Sequence, residues 1–291
     1  MSPSPAPSPV DPAVLDDAAP DVRLVVADMD GTLLDSHGRV PAGFWPLLDL
    51  MRERGIAFAP ASGRQYATLA RTFAGHLDGM CVIAENGTFV VRDGVELSAA
   101  PLSPQAAADV VRRVRDVVAA GRDAGIVVCG KRTAYVDRTD DAFWTEAARY
   151  YTALEAVPDL APVASLEAVD DEILKVAVFD FDDVGPAVAP ALAPLRATEQ
   201  VVVSGRNWVD VMAAGVTKGA AVERLQAELG VTREQTVAFG DYLNDVEMLD
   251  AAAWSFAMAD AHPQVLARAR HVAPPAAEHG VVQVLERLLA H

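Results

Sequence analysis

Two aspartates, Asp28 and Asp30, stand two residues apart just past the apolar run at residues 22–27 (VRLVVA). At that spacing in an extended segment, both carboxylates can point to one side. Two negative charges so close repel unless a cation compensates, so Mg²⁺ is a natural partner. A carboxylate is also a competent nucleophile toward phosphorus and would give an aspartyl-phosphate. Gly31 lets the backbone turn sharply beside a phosphate, and Thr32 adds a hydroxyl donor. Taken alone, the pair reads equally well as an acidic loop that ends a strand.

A second acidic cluster, Gly240-Asp241-Tyr242-Leu243-Asn244-Asp245, also follows an apolar strand and opens a helix. Asp241 and Asp245 could reach one metal, and Asn244 offers an uncharged amide; helix capping is the plain alternative. Lys218 follows Thr217, which reads as an N-cap. A cation in the first helical turn opposes the helix dipole at a cost of a few tenths of a kcal/mol, and a nearby phosphate would reverse that sign. Ser62-Gly63-Arg64 joins a strand to a helix, where a hydroxyl and backbone N–H groups make an anion site and Arg64 could hold a second anionic or hydroxylated part of a ligand. Asn86, in Glu85-Asn86-Gly87, is a further polar residue at a strand end and equally a turn residue.

These residues need elements to bring them together. Strands are expected at residues 22–27, 56–60 and 80–84, with helices at 41–54 and from Ser62 to about Phe73. Each strand ends in small or polar residues. That alternation predicts an α/β fold, a doubly wound parallel sheet of Rossmann-like form, in which ligands bind beyond the C-terminal ends of the strands. The pattern resumes after about residue 208, with a helix at 218–229, strands at 236–239 and 255–258, and a closing helix at 281–289. Between them, residues 91–207 read as an inserted α+β segment: an antiparallel sheet with helices on one face. The two acidic clusters, Lys218, Ser62 and Asn86 then fall on one rim of one sheet.

The 291-residue chain carries a net charge of −17, which argues against nucleic acid as a partner. An anionic substrate would need local cations, and Lys218 and Arg64 are placed to supply them. Cys81 and Cys129 sit in apolar runs and read as buried hydrophobes. Residues 1–21 are rich in Pro, Ser and Ala, with neither a basic start nor an apolar core, so a disordered tail rather than a signal peptide is expected. The two cysteines fit a reducing cytoplasm, no apolar run reaches membrane length, and a monomer or homodimer without membrane association is expected.

The four motifs in this order strongly resemble the haloacid dehalogenase superfamily of phosphatases: DMDGT at Asp28, PASGR at Ser62, GVTKGAAVERL at Lys218, and GDYLND at Asp241. The resemblance covers residues 22–90 and 205–290, and the insert between them has the place of that superfamily's cap. GRNWVDVMAAGVTKG, ENGTFV and EHGVVQVL are similar to the Cof-type branch; Met258-Ala259-Asp260-Ala261 departs from its usual Met-Gly-Asn-Ala. The resemblance implies Asp28 as nucleophile and Asp30 as acid and base. Ser62 and Lys218 would hold phosphoryl oxygens, and Asn244 would contact phosphate. Mg²⁺ would bind Asp28, the carbonyl of Asp30, and Asp241, with Asp245 supporting the metal shell or Lys218. Gly31, Thr32, Gly63, Arg64 and Asn86 complete the expected phosphate and substrate site. The cap should contact the leaving group, through candidates Arg138, Trp144, Arg206 and Trp208. The expected activity is Mg²⁺-dependent hydrolysis of small phosphorylated metabolites, sugar phosphates first and phosphorylated cofactors second. A phosphomutase or a dedicated sugar-phosphate phosphatase, and a silent phosphate-binding regulatory protein, are the competing readings.

Overall fold

The computed structural model describes residues 21–290; of the expected tail over residues 1–21, all but Asp21 lies outside the described residues. In chain order the strands are β1 (Leu24–Asp28), β2 (Ala57–Ala61), β3 (Cys81–Ala84), β4 (Phe89–Arg92), β5 (Val95–Ala99), β6 (Ala124–Gly130), β7 (Ala134–Val136), β8 (Leu154–Ala156), β9 (Ile173–Asp180), β10 (Glu199–Val203), β11 (Trp208–Ala213), β12 (Thr236–Gly240), β13 (Trp254–Met258) and β14 (His271–Ala273). They form two sheets, ordered β14-β13-β12-β1-β2-β3-β4-β5 and β10-β11-β9-β6-β7-β8.

The first sheet is parallel from β14 to β3. β1 lies at its centre and is buried throughout, which is why residues 24–27 are uniformly apolar. From β1 the chain winds outward to β2 and β3 and later returns on the other side as β12 and β13. The C-terminal end of β1 is therefore a topological switch point, where an open α/β sheet leaves a crevice. The helix Phe44–Glu53 buries Phe44, Leu47, Leu48 and Met51 on one stripe against this sheet.

Two boundaries differ from the sequence expectation. β4 and β5 form a hairpin on the outer edge of β3, so the first sheet retains the chain to Ala99. Its turn is Asp93-Gly94, both with positive φ (51° and 73°), which matches the twist of a tight hairpin. β11 pairs with β9 and β10 in the second sheet. The chain thus passes between sheets near residues 100–103 and 214–217, not at 90 and 208.

The second sheet is antiparallel except for the parallel pair β7–β8. Its helices occupy both faces, not one. Helix Pro104–Ala119 covers Ile126, Val128, Val176 and Val178, whereas helix Asp141–Ala148 covers the alternate residues Val127, Cys129, Ala177 and Phe179. Phe143 seats that helix by filling the space beside Gly125, where a Cβ would stand 2.2 Å from the ring. Past this helix the chain docks on the first sheet's layer: Gln65 Nε2 donates to Ala153 O (3.2 Å), Ala153 N donates to Gln65 Oε1 (2.9 Å), and Thr68 Oγ1 donates to Tyr150 O (2.8 Å). No described helix is long and apolar enough to cross a membrane.

Candidate active site

β1 delivers Asp28 at its last position, and the chain then turns through Gly31 at φ +81°. A Cβ at Gly31 would stand 2.4 Å from Asp241 Oδ2, so only glycine lets the two acidic loops approach this closely. Thr32 Oγ1 donates to Asp241 Oδ1 at 3.2 Å.

Lys218 opens helix Lys218–Leu229, capped by Thr217 Oγ1, which accepts from Ala220 N at 3.0 Å. Its side chain is fully buried, and Nζ donates to Asp28 Oδ1 and, at 2.7 Å, to Asp245 Oδ1. Asp245 Oδ2 accepts from the backbone N–H of Asp241 (2.9 Å) and of Tyr242 (3.1 Å). Both Asp245 oxygens are therefore engaged, which places it as a brace for Lys218 and the Asp241 loop. Carboxylate oxygens of Asp28, Asp241 and Asp245 all lie within 4.8 Å of one another.

This crowding sets the electrostatics. Burial first, then the charge of Asp245, pushes the Asp28 carboxyl well above its usual range, against the pull of Lys218. The same two causes raise Asp241 to about 7. For Lys218, burial acts against the ammonium, but Asp245 and Asp28 outweigh it and hold the group charged. One ammonium thus faces three carboxylates. The excess negative charge at Asp28 and Asp241, both on oxygen donors, fits a hard divalent cation such as Mg²⁺.

On the opposite side, Ser62 is buried and its Oγ accepts from Arg64 N at 3.1 Å, so its hydroxyl proton is left to donate elsewhere. Arg64 does not stand open to an anion. It grips Asp30 with two bonds, Nε to Oδ2 (2.8 Å) and Nη2 to Oδ1 (2.5 Å), and its Nη1 donates to Arg149 O (3.1 Å). Asn86 accepts from Asn244 Nδ2 (3.0 Å) and donates to Asp210 Oδ2 (2.8 Å).

A cavity of about 90 Å³ lies where the sheets meet. From the first sheet Asp28, Asp30, Ser62, Gly63, Asp241 and Asn244 reach it, and from the second Tyr150, Lys175, Ser204, Trp208 and Asp210 do. Of the four specificity candidates, only Trp208 lines it. Arg138 pairs with Asp123 and Asp140, Trp144 packs against the apolar cluster around Phe143, and Arg206 lies beside Asp183, mostly exposed. Sequence reasoning missed Lys175 and Asp210. The signal was available: a lone Lys in ILKVAVFD and a lone Asp in WVDVMA interrupt apolar strands, and a charge buried there requires a partner.

The model for haloacid dehalogenase-like hydrolases matches residues 25–285. The chain belongs to this family, as a Cof-type phosphatase, and is a phosphoric monoester hydrolase. It is 33% identical over 275 residues to the 5-amino-6-(5-phospho-D-ribitylamino)uracil phosphatase YbjI of Escherichia coli (strain K12), covering 93% of this chain and 97% of that protein. It is 28% identical over 274 residues to the HMP-PP phosphatase of Cronobacter sakazakii, covering 92% and 95%. Among solved structures, SMU.1108c from Streptococcus mutans UA159 superposes with a TM-score of 0.82 at 26% identity, covering 93% of this chain and all of that one. The parallel core carrying a second sheet is thus the fold of the family.

Proposed function

We propose that the chain hydrolyses phosphate monoesters of small, ring-bearing metabolites with Mg²⁺, through a phosphorylated Asp28. The observation that carries this reading is the pairing at Asp28 itself. Lys218 ties Oδ1, and Oδ2 has no protein partner among the described residues while Asp28 borders the cavity. A carboxylate held this way is oriented for in-line attack rather than free to rotate.

Asp28, the backbone carbonyl of Asp30, and Asp241 would hold Mg²⁺, with Asp245 behind them. When bound, the ion supplies charge neutralisation for the phosphoryl oxygens. Lys218 and the Ser62 hydroxyl hold two of those oxygens, and Asn244 borders the same space. Asp28 Oδ2 forms a bond to phosphorus as the bond to the leaving oxygen breaks, and that oxygen takes a proton from Asp30. Water then attacks phosphorus, gives its proton to Asp30, and frees Asp28 as phosphate departs. For both transfers Asp30 must release at least one of its bonds to Arg64.

The leaving group faces Tyr150 and Trp208, whose rings meet edge to face at 5.3 Å between centroids. An aromatic wall favours a flat ring over a polyol. The names of the relatives YbjI and HMP-PP phosphatase point the same way, the first to a uracil carrying a phosphorylated ribityl chain. Ring-bearing phosphate esters therefore come ahead of sugar phosphates, reversing the order expected from sequence. The test is a panel of FMN, pyridoxal phosphate, 5-amino-6-(5-phospho-D-ribitylamino)uracil, glucose 6-phosphate and ribose 5-phosphate with Mg²⁺. The ring-bearing esters should lead in kcat/KM by about tenfold or more, a little over 1 kcal/mol of differential contact. Equal rates across the panel would remove the substrate assignment; no turnover at all would remove the enzymatic one.

A further inference from the structure

Lys175 is the third residue of β9, with its side chain 1% exposed. Its ammonium lies 2.9 Å from Glu85 Oε2 and 2.9 Å from Asp210 Oδ1, and donates to Gly63 O at 2.8 Å. Glu85 and Gly63 belong to the first sheet's loops and Asp210 to the second sheet. One hydrogen bond and two ion pairs thus surround the ammonium, in a cluster that bridges the two sheets at the cavity. Asp210 extends it: Oδ2 accepts from Asn86 Nδ2 (2.8 Å) and from Ser204 Oγ (2.5 Å). Lys175, Ser204 and Asp210 all border the cavity beside Trp208. An apolar residue of similar size in β9 would fill this space with less desolvation, so the buried charges are better explained by placement than by stability.

We propose that Lys175 is a positioning residue that registers the second sheet over the phosphoryl site and so sets how the leaving group meets Ser204 and Trp208. Lys175 touches the Ser62 loop only at Gly63 O; the loop is held besides by bonds within the first sheet, Ser62 N donating to Ile83 O (2.9 Å), Asn86 N to Ser62 O (2.9 Å) and Glu85 N to Arg64 O (3.1 Å). Loss of Lys175 therefore disturbs contacts to the leaving group more than contacts to the phosphoryl group. The inference rests on the proposed transfer at Asp28.

The test compares acetyl phosphate, whose leaving group is too small to reach the second sheet's wall, with p-nitrophenyl phosphate, which carries a ring. For Lys175→Met, kcat/KM for p-nitrophenyl phosphate should fall at least about tenfold more than for acetyl phosphate, with Mg²⁺ affinity unchanged. Lys175→Arg, which keeps the charge in a wider fork, should give an intermediate ratio. Should the Met variant fail to fold, Lys175→Met/Glu85→Gln removes the stranded Glu85 charge and carries the same comparison. Equal losses with both donors, or none with either, would overturn the proposal. Failure of wild type to hydrolyse acetyl phosphate would instead count against the site at Asp28.

Discussion

Gly31→Ala separates two effects that the structure makes distinct. The first is backbone strain: Gly31 has φ +81°, and alanine in that region costs about 1–2 kcal/mol. The second is collision: the new Cβ would stand 2.4 Å from Asp241 Oδ2 and 2.8 Å from Asp241 Cγ, so the carboxylate must retreat by about 1 Å to reach ordinary contact. Gly38→Ala isolates the first effect, because Gly38 has φ +70° and nothing within 4 Å of its would-be Cβ. Both variants should lose about 1–2 kcal/mol, or roughly 2–4 °C in Tm per kcal/mol. Only Gly31→Ala should also lose function. A displacement of about 1 Å in a reacting constellation costs on the order of 100-fold. Calorimetric titration with Mg²⁺ and steady-state turnover are the assays: Gly31→Ala should bind Mg²⁺ at least about tenfold more weakly and drop about 100-fold in kcat/KM, with Gly38→Ala within about twofold of wild type in both. If Gly31→Ala matches Gly38→Ala in metal affinity and turnover, Asp241 is not the metal partner of Asp28.

Two further outcomes follow from the same carboxylate cluster. Asp241 rises from an ordinary 3.8 to about 7, so without metal the folded state binds this proton more tightly than the unfolded state. That stabilising contribution is complete below about pH 4 and is lost as pH rises through about 7. Because Mg²⁺ competes with the protons on Asp241 and Asp28, its stabilisation should grow as pH rises toward about 7, by up to about 1.4 kcal/mol per pH unit for each proton displaced; a Mg²⁺-induced Tm shift that is flat between about pH 5.5 and 7 contradicts the cluster. Lys218→Met leaves Asp28 and Asp245 buried without their ammonium and should cost about 3–5 kcal/mol by denaturant unfolding, less in mild acid as Asp28 takes up a proton. A loss under about 1 kcal/mol at pH 8 would mean that Lys218 is not the counter-charge.

The parts of the fold readable from sequence are those whose residues answer to local rules. The uniform burial of β1, β3 and β12 produces continuous apolar runs, and each run ends at a residue of the site: Asp28, Glu85 and Asp241. Thr217 and Lys218 were legible as a cap and a misplaced cation. The β4–β5 hairpin was overlooked although Asp93-Gly94 is a strong local turn signal, because the strands on either side are short and β5 is largely exposed. The second covered face of the inserted sheet depends on Phe143 meeting Gly125, a fit that no periodicity encodes. Arg64 shows the same limit: its type and loop suggested an anion holder, but the direction of its fork toward Asp30 is set by Arg149 and Tyr150, about 85 residues away. Lys175, Glu85 and Asp210 are spread over 125 residues of sequence, and only the packing of one sheet on the other makes them a set.

The central claim is that Asp28 itself carries the phosphoryl group. Rapid acid quench after mixing enzyme, Mg²⁺ and radiolabelled acetyl phosphate, followed by peptide mapping, measures this directly. Hydroxylamine-labile label is expected on the peptide containing Asp28 and should be absent in Asp28→Asn, together with a loss of turnover on the order of 1,000-fold or more. Label on any other residue, or an Asp28→Asn variant that turns over at the wild-type rate, would contradict it.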